Sequence, residues 1–542
     1  MRTATLSTAV KAATNPYIRS IAAAAVKPEE KIDKPVRTLR RTLIGLVLLL
    51  TFEGLLRKLE PNKIGVAIFL LKDVVILFMG LQLVTRHKLP PAINFLTISY
   101  LIVTLLFLPN IIITGSHDPV LAIFGAKEYL LYPIVGLAVF VVFQNSTMDE
   151  VVSFGRLVAF LMIPAGLVAI LQTQVSPNNW LNLSVDGESL EDFSSAGHLR
   201  VSSTFSFVSQ FCTFLNMQMF MAFLALHGYN KLTGFRKLVF LAPIPLLVIC
   251  SYLTGSRGAV IGNSAVLVIA IILGCMRFEL AKVIRFVWIG ALIAIVVVAF
   301  QYFYPSLMAT YTVREKGHAF GVSTEIWGRV YEAFFGWMDN TDSVPFFGNG
   351  LGIMSNGSAA ISPFARTFRL QGWTETDFAT TLFEGGPYLI FIWYAFRYYI
   401  IFATTRRFLF QTKKEFFLPG AFCQAFIILV GLTGTLGIQP PIAIWWWLAI
   451  GLSTIMWWRS IHPLEGEEVA VPRSINMFRR SKLANSSPAP TPAAVKTNLP
   501  TRPAKPAAPA KAVTPTPAAQ PAPTAPVIRG RSSYADKLHG KK

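Results

Sequence analysis

The chain has 542 residues, of which 53% are hydrophobic and 14% are charged, and its mean hydropathy is +0.52. A soluble domain normally carries about 25% charged residues, so this composition excludes an ordinary soluble protein. The net charge of +21 does not indicate nucleic-acid binding, because Lys and Arg lie at the ends of apolar runs and in the C-terminal tail, where membrane topology and anionic lipid explain them.

Apolar runs of roughly 17–22 residues fill most of the chain before residue 460, and each is long enough to cross a hydrocarbon core at about 1.5 Å per residue. We therefore predict an all-α polytopic membrane protein with about a dozen transmembrane helices. The predicted spans are, in chain order, 42–58, 64–84, 93–113, 125–143, 151–173, 205–226, 238–254, 258–275, 284–303, 378–400, 417–437 and 441–458.

Loop charge sets the predicted orientation, with both termini in the cytoplasm. Segment 1–41 is a cytoplasmic N-terminal segment, 42–458 is the transmembrane domain, and 459–542 is a basic, Pro/Ala-rich disordered tail with thirteen Lys or Arg and one acid from Arg473 onward. The longest outside loop, 304–377, is expected to be structured, with a helix over 323–341 and a Gly-rich turn "FFGNGLG". The first outside loop, 57–63, is basic and conflicts with this orientation.

Several charged residues fall inside predicted spans, where charge is costly and is a functional candidate by default. Lys72 and Asp73 lie in the middle of the second span, and Glu53 and Arg57 lie one turn apart in the first, beside Lys58. The alternative is internal salt bridges that fix helix packing.

The turn "LTGSRGA" (253–259) joins two apolar runs and carries Arg257. Gly255 and Gly258 permit a tight reversal. A guanidinium stays charged and presents a fork of donors that suits phosphate oxygens, or else it reaches lipid headgroups.

Arginines on the outside run against the positive-inside bias and need a reason. Arg329 lies in the amphipathic part of the 304–377 loop, which also carries Arg314, Arg366 and Arg369. An anionic substrate would supply the reason, and surface salt bridges to the acids of the same loop are the alternative.

A third cluster, "GWTETDFATTLFEGG" (372–386), lies where this loop re-enters the membrane and carries Glu375, Asp377 and Glu384. A partly desolvated carboxylate at such a mouth can act as a general base. Glu375 and Asp377 could instead cap the following helix.

Three features in this order resemble the O-antigen ligase and Wzy-type polysaccharide polymerase superfamily: "SRGA" (256–259), "GR" (328–329) before "FFGNGLG" (346–352), and "EGG" (384–386). The similarity covers about residues 150–455, and "FFGNGLG" stands between the second and third motifs. More weakly, "FEGLLRK" (52–58) resembles the N-terminal part of exopolysaccharide-locus members.

The resemblance implies a membrane glycosyltransferase with a GT-C-like fold in a bacterial inner membrane. Its members move a glycan from an undecaprenyl-diphosphate donor to a glycan acceptor on the periplasmic side, without a metal or other cofactor. Arg257 and Arg329 would bind the diphosphate, with Glu384, Arg366 and Arg369 in support.

One departure narrows the expected reaction. Ligases of the family carry a His-Asn pair about nine residues before the "ExG" glutamate, where this chain has Glu375 and Thr376. Glu375, or else Asp377, would then be the catalytic base, which favours inverting polymerisation or ligation of an exopolysaccharide repeat over transfer to lipid A. A polysaccharide-export machinery is a further candidate partner, and the alternatives are a secondary transporter or a lipid-linked oligosaccharide flippase.

Overall fold

The computed structural model describes residues 34–59, 63–86, 91–185, 199–228, 232–276, 344–355, 357–369, 376–410 and 416–462, and isolated positions 89, 284, 291, 295, 298, 302 and 331. All of them belong to one compact unit, residues 1–473.

Regular structure in the described ranges is helical. The α-helices are α1 (Lys34–Leu59), α2 (Lys63–Arg86), α3 (Asn94–Leu106), α4 (Leu108–His117), α5 (Pro119–Leu130), α6 (Pro133–Phe143), α7 (Met148–Phe160), α8 (Met162–Gln174), α9 (Val208–Ala225), α10 (Gly234–Leu241), α11 (Pro243–Leu253), α12 (Arg257–Met276), α13 (Ser358–Ile361), α14 (Pro363–Arg369), α15 (Asp377–Leu409), α16 (Phe417–Thr433) and α17 (Pro440–Ile461).

Eight helical stretches of the described chain are long and apolar enough to cross a membrane, or nine if the pair α5 and α6, bent by 43°, counts as one span. The eight are Ile64–Arg86, Pro91–His117, Met148–Gln174, Val208–Ala225, Gly234–Leu253, Gly258–Met276, Asp377–Leu409 and Pro440–Ile461. The chain is therefore a multi-pass helical membrane protein, as its composition predicts.

The remaining predicted spans differ in kind. Span 125–143 corresponds to the bent pair, and 417–437 to α16, which is shorter than the eight stretches above. Span 42–58 lies within α1. This helix is not among the eight candidate spans, because its charged residues make it too polar by composition. Span 284–303 and the predicted helix 323–341 lie outside the described ranges, as does the tail beyond His462.

Two helices form the centre of the bundle. In α9 and α17, 83% and 89% of the most apolar window is buried inside the protein, whereas α2 buries only 28%. Trp445, Trp446 and Trp447 of α17 are fully buried, and α17 packs against α6, α9, α15 and α16. These inner helices position the chain segments at their ends, while outer helices such as α2 present apolar side chains such as Val84 to lipid.

Candidate functional site

One end of the bundle collects polar segments that are far apart in the sequence. We call it the polar end, and it consists of residues 199–209, 254–257, 376–377 and 434–440. Ser209 Oγ, at the start of α9, donates a hydrogen bond to Gln439 Oε1 at 2.7 Å. The Gly437 amide donates to Asp377 Oδ1 at 3.0 Å. The starts of α9, α15 and α17 therefore meet at this end.

The turn between α11 and α12 also belongs to the polar end. It consists of three non-helical residues, and Gly255 has a φ of +57°, a conformation that glycine adopts readily. The Ser256 amide donates to Thr254 Oγ1 at 3.1 Å, which tightens the turn. Arg257 is the first residue of α12, and its side chain lies outside the described part of the structure.

A second arginine lies against this turn. Arg200 Cγ is 3.5 Å from the position that a Cβ at Gly255 would take. Cys212 of α9 is the neighbour of both Arg200 and Ser256. The sequence argument did not single out Arg200, although an arginine in a predicted outside loop just before a span departs from the positive-inside bias.

Asp377 lies at the start of α15 in a buried ion pair. Arg397, which is fully buried two-thirds of the way along the same helix, donates to Asp377 Oδ2 at 2.5 Å. Arg397 also donates to the carbonyl oxygens of Gly431 at 2.8 Å and Gly434 at 3.1 Å. Since Gly437 occupies the other carboxylate oxygen of Asp377, the pair ties the start of α15 to the segment that joins α16 and α17.

The N-terminal cap of α15 is Thr376, whose Oγ1 accepts from the Ala379 amide at 3.2 Å. Capping, which the sequence left open for Glu375 or Asp377, is thus carried by the residue between them. Glu375 lies outside the described residues. Arg397 lies inside a predicted span, in "WYAFRYYI". A charged residue at such a position is a functional or structural signal, and the sequence argument missed it.

Glu384 is fully buried two turns into α15 and is held by two other segments of the chain. Tyr129 Oη donates to Glu384 Oε2 at 2.9 Å, and the Met354 amide donates to Glu384 Oε1 at 2.8 Å. The Gly350 amide donates to the Glu384 carbonyl oxygen at 2.9 Å. The "FFGNGLG" turn and the "EGG" motif therefore form one interlocked unit, on which α5 packs through Tyr129.

Two glycines make this interlock geometrically feasible. Gly386 interrupts α15 with a φ of +66°, and a Cβ there would lie 2.2 Å from the Phe346 carbonyl oxygen. Gly348 has a φ of +71°, and a Cβ there would lie 2.3 Å from the Glu384 carbonyl oxygen. Any other residue would bring both strain and backbone overlap.

The end of the 304–377 loop packs on the start of α5. Ser362 Oγ donates to Asp118 Oδ2, and the amides of Val120 and Leu121 donate to Asp118 Oδ1 at 3.0 and 3.1 Å. These hydrogen bonds lower the pKa of Asp118, with the bond from Ser362 as the main cause. Arg366 of α14 donates a hydrogen bond to the carbonyl oxygen of Ala359, which lies in the short helix α13. The side chain of Arg369 is not among those described.

Six ionisable side chains of α1, α2 and α5 form a buried ionic cluster, namely Glu53, Arg57, Lys72, Asp73, Lys127 and Glu128. Lys72 and Asp73 do not pair with each other. Lys72 Nζ lies 3.3 Å from Glu53 Oε1 on α1, and Lys127 Nζ lies 2.6 Å from Asp73 Oδ2 on α2. The salt-bridge alternative that the sequence left open is the arrangement observed, and three acids balance three bases.

Basic residues of the segment predicted as the first outside loop point into the protein. Lys58 Nζ donates to Ser202 Oγ and to the Leu181 carbonyl oxygen, both at 3.1 Å. Arg57 donates to Ser206 Oγ at 3.3 Å and lies 3.6 Å from Glu53. These internal contacts explain why "FEGLLRK" departs from the topology bias, and they fix the segment that carries Arg200.

The described structure thus brings Asp377, Glu384, Arg200 and the backbone of Arg257 to connected segments. Arg329 and Glu375 lie outside the described ranges, and their roles stay predictions. In comparisons with known proteins, no family model, curated protein or solved structure matches the chain.

Proposed function

We propose that this protein is a membrane glycosyltransferase that polymerises or ligates an undecaprenyl-diphosphate-linked oligosaccharide at the outer face of the bacterial inner membrane. The observation that supports the proposal is the meeting of four sequence-distant stretches. The turn with Arg257 contacts the Arg200 segment, this segment leads to Ser209 and Gln439, and Gly437 reaches Asp377 at the head of the helix with Glu384.

In this proposal the chain has twelve spans in a GT-C-like arrangement, with both termini in the cytoplasm. The bundle's polar end faces the periplasm, where the donor's diphosphate and the acceptor glycan meet. The bundle also contacts the surrounding membrane lipid, and a polysaccharide-export machinery would take the product. The chain needs no metal or nucleotide in this scheme, because the lipid diphosphate is itself the leaving group.

The donor's diphosphate docks against Arg257 and Arg329, with Arg200 beside the same turn. Their fixed positive charges stabilise the negative charge that develops on the leaving diphosphate. An acceptor hydroxyl attacks the anomeric carbon in line, the bond from that carbon to the diphosphate oxygen breaks, and the configuration inverts. Arg366 and Arg369 would bind more distant parts of the anionic donor.

Glu375 is the proposed base that takes the proton from the acceptor hydroxyl. Asp377 is the other candidate, but both of its oxygens accept hydrogen bonds within the protein, one of them from the buried Arg397. We therefore assign Asp377 to positioning the start of α15, two residues from Glu375. Glu384 serves a similar purpose by anchoring the "FFGNGLG" turn.

Transport of a charged solute or flipping of the lipid-linked oligosaccharide is the alternative function, and the buried ionic cluster favours it. Glu53 Oε2 and Glu128 Oε2 are buried and accept no hydrogen bond within the described residues. Against it, each base of the cluster has an acid within 3.6 Å, as helix packing requires.

Point variants in a deletion strain test the proposal. Replacing Arg257 or Arg329 with Ala should reduce polymer by at least about 100-fold, the usual cost of removing a group that stabilises a developing anion. Arg86→Ala is the matched control, because Arg86 is exposed at the C-terminal end of α2 and belongs to neither the polar end nor the ionic cluster. Polymer is measured by gel, and membrane insertion by immunoblot. Wild-type polymer in both variants would contradict the assignment.

A further inference from the structure

A cleft of about 600 Å³ lies at the opposite end of the bundle, between α7 and α10. Helix α9 begins at the polar end with Val208 and ends at Ala225. Arg156 of α7 donates to the Ala225 carbonyl oxygen, which places the cleft at the end of α9 away from the polar end. The residues that line the cleft are Ser153, Arg156, Leu157, Phe160, Leu232, Phe235, Arg236, Val239 and Phe240.

Two arginines face this cleft. Arg156 donates to the carbonyl oxygens of Ala225 at 3.1 Å and His227 at 2.9 Å, and its guanidinium lies 5.5 Å from the Phe240 ring centre. Arg236 makes no hydrogen bond or ion pair with the described residues and lies close enough to Arg156 for mutual repulsion. Asp149 lies seven residues, or two helical turns, before Arg156, and its negative charge partly offsets the positive charge of the two arginines.

Apart from Ser153, the rest of the cleft wall is apolar. Helix α10 buries none of its residues, and Phe235, which lines the cleft, is 77% exposed. Phe160 is 46% exposed on the α7 side. Both α7 and α10 begin candidate membrane spans. Arg236 lies two residues and Arg156 eight residues after those beginnings. Both long side chains can therefore reach the headgroup region at this face, with apolar residues farther along each helix.

We propose that this cleft binds one anionic glycerophospholipid, with its phosphate between Arg156 and Arg236 and its acyl chains along α7 and α10. The charge pattern supports this occupant, because a phosphate relieves the repulsion between two guanidinium groups and accepts from both. The wall supports it as well, because a free phosphate would leave the adjoining apolar surface without a partner. The proposal is independent of the proposed enzymatic function.

Lipid binding to the purified full-length protein in detergent tests the proposal by native mass spectrometry. We expect phosphatidylglycerol to bind at least about tenfold more tightly than phosphatidylcholine, because each of the two arginines near an anionic group contributes about fivefold. Arg236→Gln should remove most of this preference, and Arg236→Glu should abolish it. Arg86→Gln is the matched control, since this exposed arginine does not line the cleft.

Three results would overturn the proposal. They are equal binding of the two lipids by the wild type, an unchanged preference in Arg236→Glu, or displacement of the lipid by millimolar inorganic phosphate, which would make the site a simple anion site. Arg236 is the residue to vary because it makes no hydrogen bond with the described part of the chain, whereas Arg156 holds the end of α9. Thermal unfolding of each variant checks that the fold is retained.

Discussion

Arg397 and Asp377 are the residues at which charge, burial and architecture meet most closely. A buried pair of this kind repays its desolvation only when every donor and acceptor is used. Here Arg397 binds one carboxylate oxygen and two backbone carbonyls, and a backbone amide binds the second oxygen. The pair therefore specifies how the start of α15 sits against the segment between α16 and α17.

Neutralising one partner of the Arg397–Asp377 pair should lower the free energy of unfolding far more than neutralising both partners. We expect Arg397→Gln to destabilise the protein by about 3–5 kcal/mol, because it leaves Asp377 buried and uncompensated. The double variant with Asp377→Asn should recover a large part of that loss. Thermal unfolding in detergent, followed by tryptophan fluorescence, measures both.

The control for this comparison is Glu150→Gln, which removes the partly exposed pair with Arg40 at 2.9 Å. An exposed pair contributes about 0–1 kcal/mol, so its loss should shift the unfolding midpoint little. A double variant no more stable than Arg397→Gln would refute the pairing argument.

At the scale of elements, the central feature is the fit of the "FFGNGLG" turn into the break of α15. The turn uses Gly348 and the break uses Gly386, and each backbone fills the space where the other glycine would carry a side chain. Hydrogen bonds from Met354 and Gly350 to Glu384 complete the junction.

Gly386→Ala should therefore disrupt this junction and lower the amount of folded protein. The alanine would be strained at a φ of +66° and would place Cβ 2.2 Å from the Phe346 carbonyl oxygen. Gly45→Ala is the matched control, because Gly45 lies within α1 with nothing within 4 Å of its Cβ position, and alanine favours a helix. Size-exclusion profiles of the solubilised proteins compare the two, and equal monodisperse yields would contradict the junction as described.

The sequence predicts the positions of the helices better than it predicts the contacts between them. Apolar run length located α2, α7–α8, α12 and α17 closely, because the hydrocarbon core imposes a minimum length. It also located the turn before Arg257. It did not identify Arg397 or Tyr129 as partners of Asp377 and Glu384, because such pairs depend on how helices pack, which one chain's periodicity does not encode.

The ionic cluster illustrates the same limit. Lys72 and Asp73 are neighbours in sequence, but a helix directs them about 100° apart, so the sequence does not require them to pair with each other. Each found its partner on a different helix, Glu53 on α1 and Lys127 on α5. Helix geometry indicates that Lys72 and Asp73 need not pair with each other, but their actual partners follow only from how the three helices pack.

At the scale of the whole molecule, the two ends of the bundle differ in chemistry. The polar end gathers Arg200, the Arg257 turn and the buried Asp377 of α15, whereas the opposite end carries the Arg156–Arg236 cleft in an apolar setting. A glycosyltransferase that uses a lipid carrier needs a site for its chemistry at one face and stable anchorage in lipid at the other. The two proposals assign these tasks to separate ends, so each can fail without the other.

The most direct test of the central proposal is the profile of lipid-linked and secreted glycans in a strain that lacks this gene. We predict that long polymer disappears and that single repeat units accumulate on undecaprenyl diphosphate, with restoration by the wild type and not by Arg257→Ala or Glu375→Gln. Finished polymer retained on the carrier would identify the ligase form of the same activity. An unchanged glycan profile in the deletion strain would contradict glycan transfer and favour transport.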